Sequence, residues 1–166
     1  MMHGTTPPAT IRPLVPAQGH RAAAALPGNL DMKSLEHGRN SILAIDDDAS
    51  VLSDLAATLS GAGYTCHCCP DANAALVMAT SMAPDLIISD INIGEQSGLE
   101  LCEQLKQVAG LADVPVMFLS GAQIPDIIRR SHAAGGTYYL RKPCDPQVLL
   151  ELVDKAMWLP HLVGGR

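Results

Sequence analysis

The sequence predicts an α/β fold: a doubly wound, five-stranded parallel sheet with helices on both faces. Three observations carry that prediction. Short apolar runs such as Ile42 to Ile45 and Leu86 to Ile88 have the length and branched composition of strands buried on both faces. Segments with apolar residues at helical spacing alternate with them, as in βα units. The runs also end in polar residues (Asp46-Asp47-Asp48, Asp90, Ser120, Lys142), and the carboxyl edge of an open parallel sheet is where such folds gather ligand groups.

Taken in order, residues 1 to 40 mix Pro, Ala, Gly and Thr without sustained periodicity, which predicts a flexible, disordered arm. Ile42 to Ile45 form the first strand. Val51, Leu52, Leu55, Ala56 and Leu59 recur at helical spacing, and Gly61 with Gly63 closes that helix. Tyr64 to Cys68 reads as a second strand, and Asp71 starts a second helix, Ala74 through Met82. The third strand stops at Ser89-Asp90, and a loop containing Gly94, Ser97 and Gly98 comes next. Leu101, Cys102, Leu105 and Val108 mark a third helix. Val114 to Leu119 is a fourth strand, Pro115 being tolerable at its start. Ile124 to Ala133 reads as a fourth helix, Thr137 to Leu140 as a fifth strand, and Val148 to Ala156 as a fifth helix, with a frayed tail after Pro160. The expected division is an arm over 1–40, one domain over 41–159 and a short tail over 160–166. Right-handed crossovers favour the flavodoxin-like strand order 2-1-3-4-5, with its switch point between strands 1 and 3.

A chain of 166 residues with 48% apolar composition has room for one domain with a real core. Its charge is uneven. Residues 1 to 40 hold four basic and two acidic residues, leaving seven basic against fifteen acidic in the remainder, a net charge of −8. An acidic globular part argues against direct nucleic-acid binding. No stretch approaches the roughly 20 apolar residues of a membrane helix. Pro7, Pro8, Pro13 and Pro16 interrupt any export signal, so a cytoplasmic location is expected. Cys66, Cys68, Cys69, Cys102 and Cys144 are then free thiols.

The switch point brings Asp46, Asp47 and Asp48 beside Asp90, with Ser120 and Lys142 from the neighbouring strands. At an effective dielectric near 20, like charges 4 Å apart cost on the order of 4 kcal/mol. Mg²⁺ in the crevice, held by one or two carboxylates, waters and a phosphate, relieves that repulsion. Lys142 supplies a compact cation for phosphate and Ser120 a hydroxyl donor.

These pieces, in this order and spacing, resemble the receiver domain of two-component response regulators over roughly residues 41 to 158. The segments that carry the resemblance are Ile42 to Asp48, Pro84 to Asp90 with Gly98 eight places on, Pro115 to Gly121, and Lys142-Pro143. The resemblance implies that Asp90 is the phosphoryl acceptor. It makes Asp47 a direct Mg²⁺ ligand, with Asp46 acting through water and the backbone carbonyl of Asn92 also ligating. Ser120 and Lys142 are implied to bind the phosphoryl group, Tyr139 to be the switch aromatic, and the bond before Pro143 to be cis. Asp48 is better read as a helix N-cap. The implied partner is a histidine kinase or histidine phosphotransfer protein whose phosphohistidine Asp90 attacks. The consequence is a changed face of helix 4, strand 5 and helix 5 for partner signalling or phosphorelay, with room for a phosphorylation-dependent dimer. Such a protein is no enzyme beyond its own Mg²⁺-dependent phosphorylation and dephosphorylation.

Departures from the family pattern are local. Ile93-Gly94 stands where Met-Pro is usual, which predicts a more mobile loop. Ser120 replaces the commoner Thr, and Cys144 replaces a Phe, loosening the packing of the last helix. Cys66 and Cys68 share one face of a strand with His67 opposite. That arrangement falls short of the four convergent ligands of structural zinc, so small apolar packing is the better reading. The alternative function is a receiver-like protein-binding module that acts without phosphorylation. A dinucleotide-binding unit needs glycines after strand 1, where the aspartates stand. A phosphatase of the aspartyl-phosphate type needs a second Asp where Asn92 stands. Nothing after the fifth helix is long enough for an output domain, so a single-domain regulator, or a fragment of a longer one, is expected.

Overall fold

The computed structural model describes residues 40–163; the expected arm over 1–40, apart from its last residue, and the last three residues lie outside them. The main chain runs β1 (Ser41–Ile45), α1 (Ala49–Gly61), β2 (Thr65–Cys69), α2 (Ala72–Met82), β3 (Leu86–Asp90), β4 (Asn92–Ile93), β5 (Gln96–Ser97), α3 (Gly98–Gln107), β6 (Val116–Ser120), α4 (Ile127–Ala133), β7 (Tyr138–Arg141) and α5 (Pro146–Val163). Five strands form one sheet in the order β2-β1-β3-β6-β7, all pairs parallel. This is the expected 2-1-3-4-5 arrangement once the small β4–β5 ribbon is set aside.

The alternation of strand side chains divides the core into two layers. Leu43, Ile45, Ile87, Val116 and Phe118 face one way, against Ala75 and Ala79 of α2, Leu101, Cys102 and Leu105 of α3, and Ile127 of α4. Ile42, Ala44, Leu86, Ile88, Met117 and Leu119 face the other, against Leu52, Leu55 and Leu59 of α1 and Leu149, Val153 and Ala156 of α5. Strands buried on both faces need apolar residues at every position, which is why their sequence shows runs rather than alternation. Burying one large side chain such as Phe118, fully enclosed, contributes about 2–3 kcal/mol. Gly136 makes room for it, because a Cβ there would lie 2.6 Å from the Phe118 ring.

The helix starts follow local chemistry. Asp48 caps α1 by accepting from the Ser50 amide at 2.8 Å, and Asp71 caps α2 by accepting from Ala74 at 2.8 Å. Ser97 caps α3, accepting from Glu100 at 3.3 Å.

Three expectations need correction. The loop after Asp90 holds a two-stranded antiparallel ribbon, Asn92 opposite Ser97 and Ile93 opposite Gln96. Gly94, at φ +60°, makes the two-residue turn between them. Gly98 is the first residue of α3, not part of the loop. Helix α4 begins at Ile127 rather than Ile124, because Ile124 precedes Pro125 and that position disfavours helical backbone. Helix α5 continues to Val163. No helix among the described residues is long and apolar enough to cross a membrane.

Tyr64, 4% exposed, ties the turn before β2 to α5 by donating its hydroxyl to Asp154 Oδ1 at 2.5 Å. Burial, with Asp154 adding, raises the phenol above its ordinary value of 10. Below pH 10 both folded and unfolded chains keep the proton, so the bond contributes in full; above it the unfolded chain ionises first. Tyr64→Phe is therefore expected to lose about 1 kcal/mol near neutral pH. Denaturant unfolding should also show a shallower loss of stability above pH 10 in that variant than in the wild type.

Candidate functional site

Four strand ends meet at the carboxyl edge. Asp46 follows β1 and is 1% exposed. Its amide donates to the Cys69 carbonyl at 3.2 Å, and its Oδ1 accepts from the Asp48 amide at 3.0 Å. Asp47 points to the exposed rim of the same crevice. Asp90 ends β3, and its Oδ1 accepts from the Asn92 amide at 3.1 Å. One carboxylate oxygen from each of Asp46, Asp47 and Asp90 lies within 4.8 Å of the others. Asp48 stands outside this group, committed to Ser50 as the cap of α1, bonds that hold its carboxyl below the usual carboxylate range.

Lys142 lies just beyond β7. Its backbone amide donates to the Ser120 carbonyl at 3.0 Å, which joins the ends of β6 and β7. Its Nζ donates to Asp46 Oδ2 and, at 2.7 Å, to Asp90 Oδ2. Burial alone would lower this ammonium, but the hydrogen bonds it donates to Asp46 and Asp90 outweigh it and raise the group above its ordinary value. Ser120 is buried at the end of β6, where its Oγ accepts from the Ala122 amide at 3.1 Å. The Lys142–Pro143 bond is cis. Tyr139 is half-buried against the layer of α2, α3 and α4, while Tyr138 packs with the opposite layer. The Asn92 side chain is exposed on β4.

Three carboxylates face one ammonium, which leaves two formal negative charges uncompensated. A small divalent cation carries that charge, and an all-oxygen donor set that includes one exposed carboxylate suits a hard ion. Asp46, Asp47 and Asp90 thus fit a divalent cation.

The sequence indicates which residues gather here, but two features escape it. One is that a single Lys142 Nζ bridges Asp46 and Asp90, which depends on side-chain reach across two strands. The other is Gly98. Its amide donates to the Ile91 carbonyl at 2.6 Å, and a Cβ on it would stand 1.9 Å from the Asp90 carbonyl oxygen. Only hydrogen fits there, so α3 abuts the end of β3 directly. The Ile-Gly-Glu-Gln segment was the available signal for the ribbon that makes this approach possible.

On the far edge of the sheet, Cys66 and Cys68 share a face, with sulfurs 3.9 Å apart. No further His, Cys, Asp or Glu completes a metal-binding group with them among the described residues.

Gly98→Ala should force the α3 start away from Asp90. We expect a loss of about 3 kcal/mol in urea unfolding, at the upper end of overpacking costs, whereas Gly61→Ala, which meets no neighbouring atom within 4 Å, should not destabilise the chain.

Comparison with known proteins agrees with this geometry. The family model of the response regulator receiver domain matches residues 42–154. The chain is 32% identical over 119 residues to the DNA-binding transcriptional regulator NtrC of Salmonella typhimurium, covering 72% of this chain and 25% of that protein. It is 34% identical over 109 residues to the response regulator MprA of Mycobacterium ulcerans, covering 66% of this chain and 46% of that protein. The chain therefore spans a quarter to about half the length of these curated relatives. Among solved structures, the chemotaxis protein CheY4 of Vibrio cholerae superposes with a TM-score of 0.68 at 29% identity, over 70% of this chain and 98% of that one. The sheet order, the acidic crevice and the match over 42–154 lead to one conclusion: this chain belongs to the response regulator receiver domain family.

Proposed function

We propose that the domain accepts a phosphoryl group on Asp90 from a phosphohistidine of a histidine kinase or histidine phosphotransfer protein. The observation that carries this reading is the convergence of Asp46, Asp47 and Asp90 with Lys142, which contacts two of them. An Asp90 carboxylate oxygen attacks phosphorus; the bond to the histidine nitrogen breaks as the new O–P bond forms, giving an acyl phosphate. Asp46, Asp47 and Asp90, with the Asn92 backbone carbonyl, would hold Mg²⁺, whose chemistry is to offset charge on the phosphoryl oxygens.

The chain's own groups do the positioning. The Asn92 amide, hydrogen-bonded to Oδ1, fixes the Asp90 carboxylate at the strand end. Lys142 already holds Oδ2 and can follow the incoming phosphate as a cation. Ser120, whose hydroxyl engages the Ala122 amide, can turn to donate to a phosphoryl oxygen. The added charge of about −2 draws Lys142 and Ser120 toward Asp90. That movement opens space behind β6 for Tyr139, which pairs in register with Phe118, and alters the face of α4, β7 and α5. This face then serves a downstream target, a relay partner or a second copy of the chain. The alternative, binding without phosphorylation, gives the exposed Asp47 carboxylate beside Asp46 and Asp90 no task.

Acetyl phosphate with Mg²⁺ should add one phosphate by intact mass spectrometry, and Asp90→Asn should take none. No labelling of either protein would favour the unphosphorylated module. Mg²⁺ at about a hundredfold excess over its dissociation constant should stabilise the fold by about 2.7 kcal/mol, seen as a higher melting temperature. Asp47→Asn should lose most of that shift.

A further inference from the structure

Strand β2 is an edge of the sheet, and Cys66 and Cys68 project from it toward α1. Cys66 packs with the layer of α1 and α5, and the Cys68 thiol donates to the Leu52 carbonyl at 3.6 Å. Cys68 is exposed and Cys66 half-buried, and both are free thiols.

Their sulfurs, 3.9 Å apart, are poorly placed for a disulfide. Two residues of strand advance about 6.6 Å with their Cβ atoms side by side, whereas a disulfide draws Cβ atoms to about 3.8 Å. Pairing with β1 through Ile42↔Cys66 and Ala44↔Cys68 holds the backbone extended. One ion between the sulfurs fits better. Two metal–sulfur bonds of about 2.3 Å span about 4.6 Å when in line, a little more than the 3.9 Å found. A turn of the exposed Cys68 side chain supplies the difference without moving the strand. Zinc demands four ligands, and no third His, Cys, Asp or Glu joins the pair among the described residues. A soft ion satisfied by two thiolates is the match.

We propose that Cys66 and Cys68 form a two-thiolate site for Cu(I). Each thiol releases its proton to solvent, two Cu–S bonds form as the bonds to the delivering chelator break, and copper stays in the +1 state. Burial, with Cys68 adding, pushes the Cys66 thiol up to about 12, so the ion displaces a proton rather than meeting a ready thiolate. The site lies on the edge strand, apart from the acidic crevice, and is independent of phosphorylation.

The test titrates the reduced full chain with Cu(I) delivered as its bicinchoninate complex in the absence of oxygen. The expected result is one copper per chain by native mass spectrometry, with at least tenfold weaker uptake in Cys68→Ser, whose exposed position spares the fold. Cys144→Ser should bind as the wild type does, and unchanged circular dichroism of Cys68→Ser shows that it is folded. Full uptake by Cys68→Ser, one copper shared by two chains, or displacement of the copper by equimolar zinc would each overturn the proposal.

Discussion

The bridge from Lys142 to Asp46 and Asp90 is the interaction on which the rest of this site depends. Asp46 is almost fully enclosed, and a buried carboxylate without a partner is among the costliest things a core can hold. The ammonium answers it, and it reaches Asp90 on the next strand at the same time. The pairing brings the ends of β1, β3 and β7 together, with β6 joined through the Lys142 amide and the Ser120 carbonyl. One cation against three carboxylates leaves the crevice short of positive charge, so the same contact that stabilises the edge keeps it ready for a divalent ion.

The layers beneath make that edge possible. Parallel strands enclosed on both faces present all their carboxyl ends to one side, and α1 and α5 on one face and α2, α3 and α4 on the other clamp them in register. Gly98 lets α3 approach the Asp90 backbone without an intervening side chain, and the β4–β5 ribbon returns the chain to that point within a few residues. Packing at the back of β3 and the polar groups at its carboxyl end are therefore one construction.

Much of this was legible beforehand because the signals were strong and redundant. Ile42 to Ile45 and Leu86 to Ile88 read as strands of a double-sided core, and Asp48 reads as a helix cap and acts as one. Boundaries read less well where two local rules competed. Ile124 shares the apolar spacing of α4, but Pro125 next to it sets the helix start further on. The two-residue strands β4 and β5 are too short for any periodicity to show.

By itself, the sequence determined the parallel α/β order and the set of residues at the sheet's carboxyl edge, because hydrophobic runs, helical spacing and crossover handedness leave little freedom. Tertiary structure alone decided how those residues share contacts. That Lys142 serves Asp46 and Asp90 together and that Gly98 must lack a side chain are facts of distance between atoms. Such distances come from packing whole layers together, and spacing along a chain does not encode them.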